Sequence, residues 1–62
     1  MIGFITNSGT KYYVDERTKT IVGGKFKKPQ QYSFGSSVIG EKGVFHLVDG
    51  RVLTTSVIRG YL

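Results

Sequence analysis

"IGFITNSGTKYYV", residues 2–14, is the stretch whose register decides the fold. Ile, Phe, Thr, Tyr and Val crowd both sides of a polar Asn7-Ser8-Gly9, the composition of two strands and a tight turn. A two-residue Ser8-Gly9 turn would pair Phe4 with Tyr13 and Ile5 with Tyr12, scattering apolar groups over both faces. A three-residue loop with Gly9 as the left-handed residue of a G1 bulge pairs Thr6 with Thr10, Phe4 with Tyr12 and Ile2 with Val14. All six then share one face, and Ile5, Lys11 and Tyr13 share the other. Register is strongly specified where one face is buried, so the second arrangement is expected, with Phe4, Tyr12 and Val14 in the core.

Working outward, "DERT" (15–18) reads as a polar turn and "TKTIVG" (18–23) as a third strand. In "VDGR" (48–51), Asp49-Gly50 suits a two-residue type I′ turn, whose central residues both need positive φ. That turn places Leu47 opposite Val52 and Phe45 opposite Thr54 on one face, and His46 opposite Leu53 and Val44 opposite Thr55 on the other. Neither face is cleanly polar, so this hairpin is expected to be covered on both sides or to carry a subunit interface. "SSVIG" (36–40) reads as a strand and "GEKG" (40–43) as a turn. "RVLTTSVIRGYL" (51–62) is long for one strand and is expected to bend near Ser56 or Gly60. No window carries the i, i+3, i+4, i+7 spacing of a helix. The segment "GGKFKKPQQYSFGSS" (23–37) alone reads as neither strand nor tight turn, and is expected to be one long connection.

These elements make residues 1–62 a single all-β domain of five or six short antiparallel strands. A meander forming a small SH3-like or OB-like half-open barrel satisfies the pattern, as does a small sheet completed by a second chain. So short a chain buries only about 60% of the surface exposed when unfolded, and small scaffolds usually need a staple. There is no cysteine, which excludes disulfides and thiolate metal sites. Size and the missing staple point to a homo-oligomer. The opening residues lack the basic flank and long apolar run of a signal peptide, and no run approaches the ~18 apolar residues of a membrane span. A cytoplasmic protein, with no membrane partner, is the expectation.

Chemistry by the chain itself is not supported. His46 is the sole histidine, and the expected pairing leaves a hydroxyl at best diagonal to it, short of a nucleophile–base pair. Asp15, Glu16, Glu41 and Asp49 all fall in expected turns, where such residues cap and solubilise. No spacing makes them a metal site, and "VGGKF" lacks the helix that a phosphate loop requires. No enzyme activity and no cofactor are expected.

Binding is the class with positive content. Nine Lys and Arg against four Asp and Glu give a net charge of +5, which suits anionic partners and also solubility. Lys25, Lys27 and Lys28 supply charge, and Phe26, Tyr32 and Phe34 supply aromatic surface, with Arg17 and Lys19 on the approach to this segment. A basic groove lined by aromatic faces is how small β-barrels hold single-stranded nucleic acid. The bland alternative is a solvated loop anchored by Phe26 or Phe34. Alternation in "KFKK" turns Phe26 inward and the flanking lysines outward, and strand spacing puts Tyr32 and Phe34 on one face. A polar loop stiffened by Pro29, with exposed tyrosines such as Tyr13 and Tyr61, equally suits a protein partner. An edge strand left open would offer a further route to a partner or a second copy.

"FITNSGTKYYVD" and "VDGRVLTTSVI" together resemble small, mostly uncharacterised all-β proteins encoded by bacteriophages, with a strand–turn–strand opening and a closing "TS-V" strand. The resemblance covers about half of the chain, carries over no functional residue, and departs from the pattern in the shorter chain and the basic central segment. It implies a phage-type accessory or inhibitor protein acting in the bacterial cytoplasm on a host or phage macromolecule. The first expectation is a non-enzymatic binder of a protein partner. The alternatives are a basic single-stranded nucleic-acid binder and a structural subunit of a larger assembly.

Overall fold

The computed structural model describes all 62 residues. Six strands follow one another: β1 (Ile2–Thr6), β2 (Lys11–Asp15), β3 (Thr20–Gly23), β4 (Phe26–Ser36), β5 (Lys42–Leu47) and β6 (Val52–Tyr61). Each pairs antiparallel with the next, and β6 returns to β1 to close the barrel. Closure goes a step beyond the half-open form and leaves no whole edge strand for a second chain to extend. There are no helices, so none is long and apolar enough to cross a membrane.

The first hairpin has the expected register: Phe4 faces Tyr12 and Ile2 faces Val14. Gly9 has φ +85°, its N–H donates to the Thr6 carbonyl, and the Thr6 N–H donates to the Thr10 carbonyl. The hairpin between β5 and β6 departs from expectation. Gly50 has positive φ but Asp49 does not, so a type I′ turn is excluded. Instead Gly50 N–H donates to the Leu47 carbonyl and Leu47 N–H to the Arg51 carbonyl. Val48-Asp49-Gly50 is thus a three-residue bulged loop built like Asn7-Ser8-Gly9. It moves the pairing by one residue, setting His46 opposite Val52, Phe45 opposite Leu53 and Val44 opposite Thr54. The slip sorts the hairpin: Phe45, Leu47, Leu53 and Thr55 are buried, while His46, Val52 and Thr54 are exposed.

Residues 23–37 hold the main correction. Most of this segment is β4, the longest strand, with 11 residues. It was illegible as a strand because its alternation is broken twice. Lys27, Lys28 and Pro29 together oppose Val22 between the pairs Ile21–Gln30 and Gly23–Phe26. Pro29, which has no N–H to donate, sits where the ladder is already interrupted. A second slip at Ser33 follows, because Tyr32 pairs with Leu47 but Phe34 with His46. "SSVIG" is not a strand: residues 37–41 form the connection to β5, and Lys42 and Gly43 of the expected turn already belong to β5.

Two strands serve both halves of the barrel. β4 pairs with β3 through its first half and with β5 through its second; β6 pairs with β5 and then with β1. Strands that turn such corners do so at bulges. β6 runs on as one strand, and its ladder slips between Thr54 and Val57 and again between Ile58 and Gly60, close to both expected bends. The first slip leaves the buried Gly43 N–H without a ladder partner, and Thr55 Oγ1 accepts it at 2.9 Å while donating to the Ser56 carbonyl at 2.7 Å.

The core is an aromatic file that joins the halves. Tyr12 stacks on Phe4 (5.2 Å between centroids), Phe4 on Phe45 (6.4 Å), and Tyr32 meets Phe45 edge-on (5.2 Å). Such pairs contribute about 0.5–1.5 kcal/mol each beyond area burial. With Phe4, the side chains of Ile21, Ile58 and Thr6 are fully buried.

Candidate binding surfaces

The corrected register of β4–β5–β6 creates a surface feature. Phe34, His46 and Val52 are aligned directly across three strands and all point out of the barrel. Phe34 is 62% exposed and Val52 53%. The Phe34 and His46 rings lie 5.8 Å apart at 47°. Val48, at the adjoining hairpin tip, is also exposed. The bulge at Ser33 makes this possible by reversing the strand's phase. Tyr32 therefore turns into the core and Phe34 out of it, instead of sharing a face. Beneath the row, Gly35 lies against the Phe45 ring so closely that a Cβ there would stand 2.3 Å from Phe45 Cδ2.

The other expected site residues divide into three places. Phe26 is half-buried and packs against the core, with the Lys25 ammonium 5.7 Å and the Arg51 guanidinium 5.4 Å from its ring centroid. Lys27 and Lys28 are exposed in the β4 bulge. Lys19 lies with its ammonium 5.8 Å from the Tyr32 ring centroid, and its carbonyl accepts the Tyr32 N–H. Arg17 is exposed in the β2–β3 turn, where its N–H and that of Thr18 donate to Asp15 Oδ1. Tyr13 is exposed on the outer face of β1–β2–β3 against Gly3, apart from the Phe34 row. Tyr61 donates its hydroxyl to the Ser37 carbonyl. Among the three aromatics of the central segment, Phe34 alone offers an open ring.

Of the nine basic side chains, Arg51 alone forms an ion pair, to Asp49 at 2.7 Å. Arg51 also donates to Gln30 Oε1 at 2.9 Å, which fixes the guanidinium beside Phe26. The Arg51 side chain and its N–H both donate to Asp49, holding that carboxyl below its ordinary value.

Arg51 and Phe26 stand at the mouth of a cleft of about 740 Å³ between β2, the β3–β4 turn and the start of β6. Its polar groups include Thr10, Thr54, Lys25 and the Tyr12 hydroxyl, and Leu53 adds an apolar wall. Sequence reasoning did not single out His46, Val48 or Val52 as contact residues, because the displaced register of the second hairpin hid which of them face outward. The Tyr12 ring lies in the core, as the register of the first hairpin implies. No group of three or more His, Asp and Glu side chains converges where it could hold a metal ion. The chain matches no family model, no curated protein sequence and no solved structure.

Proposed function

We propose that this is a non-enzymatic binding protein, of the phage-accessory type the sequence resembles, whose partner is a protein engaged by the outer face of β4–β5–β6. The observation that carries this reading is the Phe34–His46–Val52 row, an exposed aromatic and apolar line on a rigid sheet. Aromatic residues in the centre of a contact dominate binding energy, and truncating one such anchor costs about 2 kcal/mol or more. The unpaired cations around the rest of the barrel speed the approach of an acidic partner without supplying the contact itself. Affinity capture from nuclease-treated bacterial lysate tests the reading. Wild-type protein should retain a specific partner that Phe34→Ala and Val52→Ser lose, with the variants' far-UV circular dichroism unchanged. Capture that survives both substitutions, or that nuclease abolishes, refutes it.

The basic surface favours a second reading, single-stranded nucleic-acid binding. With Tyr32 inward and the Phe26 ring attended by two cations, Phe34 is the one open stacking surface on the central segment. This reading requires affinity that falls steeply with salt, in proportion to the phosphates neutralised. Fluorescence anisotropy with labelled oligonucleotides at low salt is the measurement, and no binding there removes it.

A further inference from the structure

We infer that the cleft between β2, the β3–β4 turn and β6 is a binding site for an organic phosphate, with the Tyr12 hydroxyl as its innermost donor. The cleft shares Val52 with the protein-binding face, but the inference does not rest on that face, since Tyr12, Gly24 and Lys25 lie outside the Phe34 row.

Three features of the cleft point to a ligand. Tyr12 is 8% exposed, its ring stacked on Phe4 in the core, yet its hydroxyl makes no hydrogen bond within the chain and opens on the cleft. The hydroxyl is open to solvent and not a buried orphan, so it is free to donate to a ligand in the cleft. Burial also pushes its pKa up, so at neutral pH it remains a donor. Next, the approach to that hydroxyl is kept clear by Gly24. A Cβ there would stand 2.8 Å from Tyr12 Oη, and φ of +54° at this position disfavours any other residue. Finally, the charge at the rim is placed in advance. Arg51 is held by Asp49 through Nε and Nη2 and by Gln30 through Nη2, so Nη1 is left without a protein partner. Lys25, its ammonium 5.7 Å from the Phe26 ring centroid, is an unpaired cation beside the same ring. Asp49 offsets part of the Arg51 charge, which leaves one net positive charge at the rim. That balance suits an anionic group better than a cation.

The cleft is wider than a bare oxyanion needs and falls in the volume range of pockets that hold small organic ligands, roughly 300–1,000 Å³. Phe26 and Leu53 give the organic body apolar wall, and the Thr10 and Thr54 side chains offer it hydroxyls. A phosphate monoester of nucleotide size meets these conditions, either as a free mononucleotide or as the phosphorylated end of a single strand.

Amide chemical-shift titration of the isotopically labelled protein tests the site with adenosine monophosphate, adenosine, inorganic phosphate and a 5′-phosphorylated trinucleotide. Adenosine monophosphate is expected to move the amides of residues 10–12, 24–26 and 51–54, and adenosine to bind roughly tenfold more weakly. Tyr12→Phe keeps the ring and its stack on Phe4, and should weaken binding roughly tenfold with the melting temperature little changed. Lys25→Met should weaken it several-fold and flatten its salt dependence. Tighter binding of the trinucleotide assigns the strand end, and equal or weaker binding assigns the free nucleotide. The inference is overturned if no phosphate probe shifts those amides at millimolar concentration, if adenosine binds as well as its monophosphate, or if Tyr12→Phe binds like the wild type. Each of these readings is independent of Phe34→Ala, so failure of the site and failure of the protein-binding face are distinguishable.

Discussion

Replacing Thr55 by valine removes one oxygen and keeps the shape of the side chain, which isolates the work of a single hydroxyl at the corner of β6. Thr55 is 4% exposed. Its Oγ1 is the acceptor for the buried Gly43 N–H at 2.9 Å, the group orphaned where the β5–β6 ladder slips. In Thr55→Val that N–H stays buried with no partner, a cost of about 1–3 kcal/mol. The new methyl returns at most about 0.8 kcal/mol of burial, so a net loss of about 1–2 kcal/mol is expected. For a domain this small each kcal/mol moves the melting temperature by about 4–8 °C, which gives a drop of about 5–15 °C. Against a total stability of about 3–9 kcal/mol at this chain length, the loss is substantial. Thermal unfolding followed by far-UV circular dichroism reads the melting temperature, and native-state hydrogen exchange reads the Gly43 amide directly. A variant that melts within about 2 °C of the wild type, with Gly43 protected as before, would refute the assignment of that hydroxyl.

Gly35→Ala should destabilise by about 1–3 kcal/mol, because its Cβ would collide with the Phe45 ring; a thermal melt and the near-ultraviolet aromatic signal both report it. Phe34→Ser, by contrast, removes an exposed ring and should change stability by less than about 0.5 kcal/mol, measured by urea denaturation. Lys19 has φ +54°, so Lys19→Gly should relieve strain and raise stability by up to about 1 kcal/mol, less whatever the ammonium contributes over Tyr32. In acid, Asp49 and Asp15 set the direction. The Arg51 donors depress Asp49. At Asp15, desolvation acts upward but is outweighed by the Arg17 and Thr18 donors and the Arg17 charge. Carboxyls lowered on folding stabilise fully above their unfolded value, and that contribution is lost as pH falls through the folded one. The melting temperature should therefore hold down to about pH 5 and decline below about pH 4, less steeply in Asp49→Asn.

The fold was legible where one face is apolar in a single phase. Ile2–Val14 has that property, and testing two turn lengths against it was enough to fix the register. The same test was available for the second hairpin. Reading Val48-Asp49-Gly50 as a bulged loop like Asn7-Ser8-Gly9 would have gathered Phe45, Leu47, Leu53 and Thr55 on one side. The Asp-Gly pair, a strong type I′ signal, competes with that pattern and points to the other register. β4 escaped for a different reason: two ladder slips in one strand erase period-2 alternation, so Lys27-Lys28-Pro29 and Ser33 look like loop residues. The candidate surfaces depend on these irregularities. The Ser33 slip decides that Tyr32 is core and Phe34 is surface, and no composition or spacing rule reports that. Lys25 and Lys27, which flank the inward Phe26, face outward as alternation implies, whereas Lys28, in phase with Phe26, is exposed because it lies in the bulge opposing Val22.

The pairing of β1 with the end of β6 also governs how the molecule is made. The Thr6–Ile58 to Phe4–Tyr61 ladder joins the barrel's first strand in chain order with its last. Until those final residues are available, the nascent chain carries β1 as an unpaired edge, with Phe4 and Ile58 not yet buried together. Pairings of such large sequence separation form slowly and leave sticky edges exposed meanwhile. Chains released early, before Ile58, should thus be the forms that aggregate or are degraded, although they contain five complete strands.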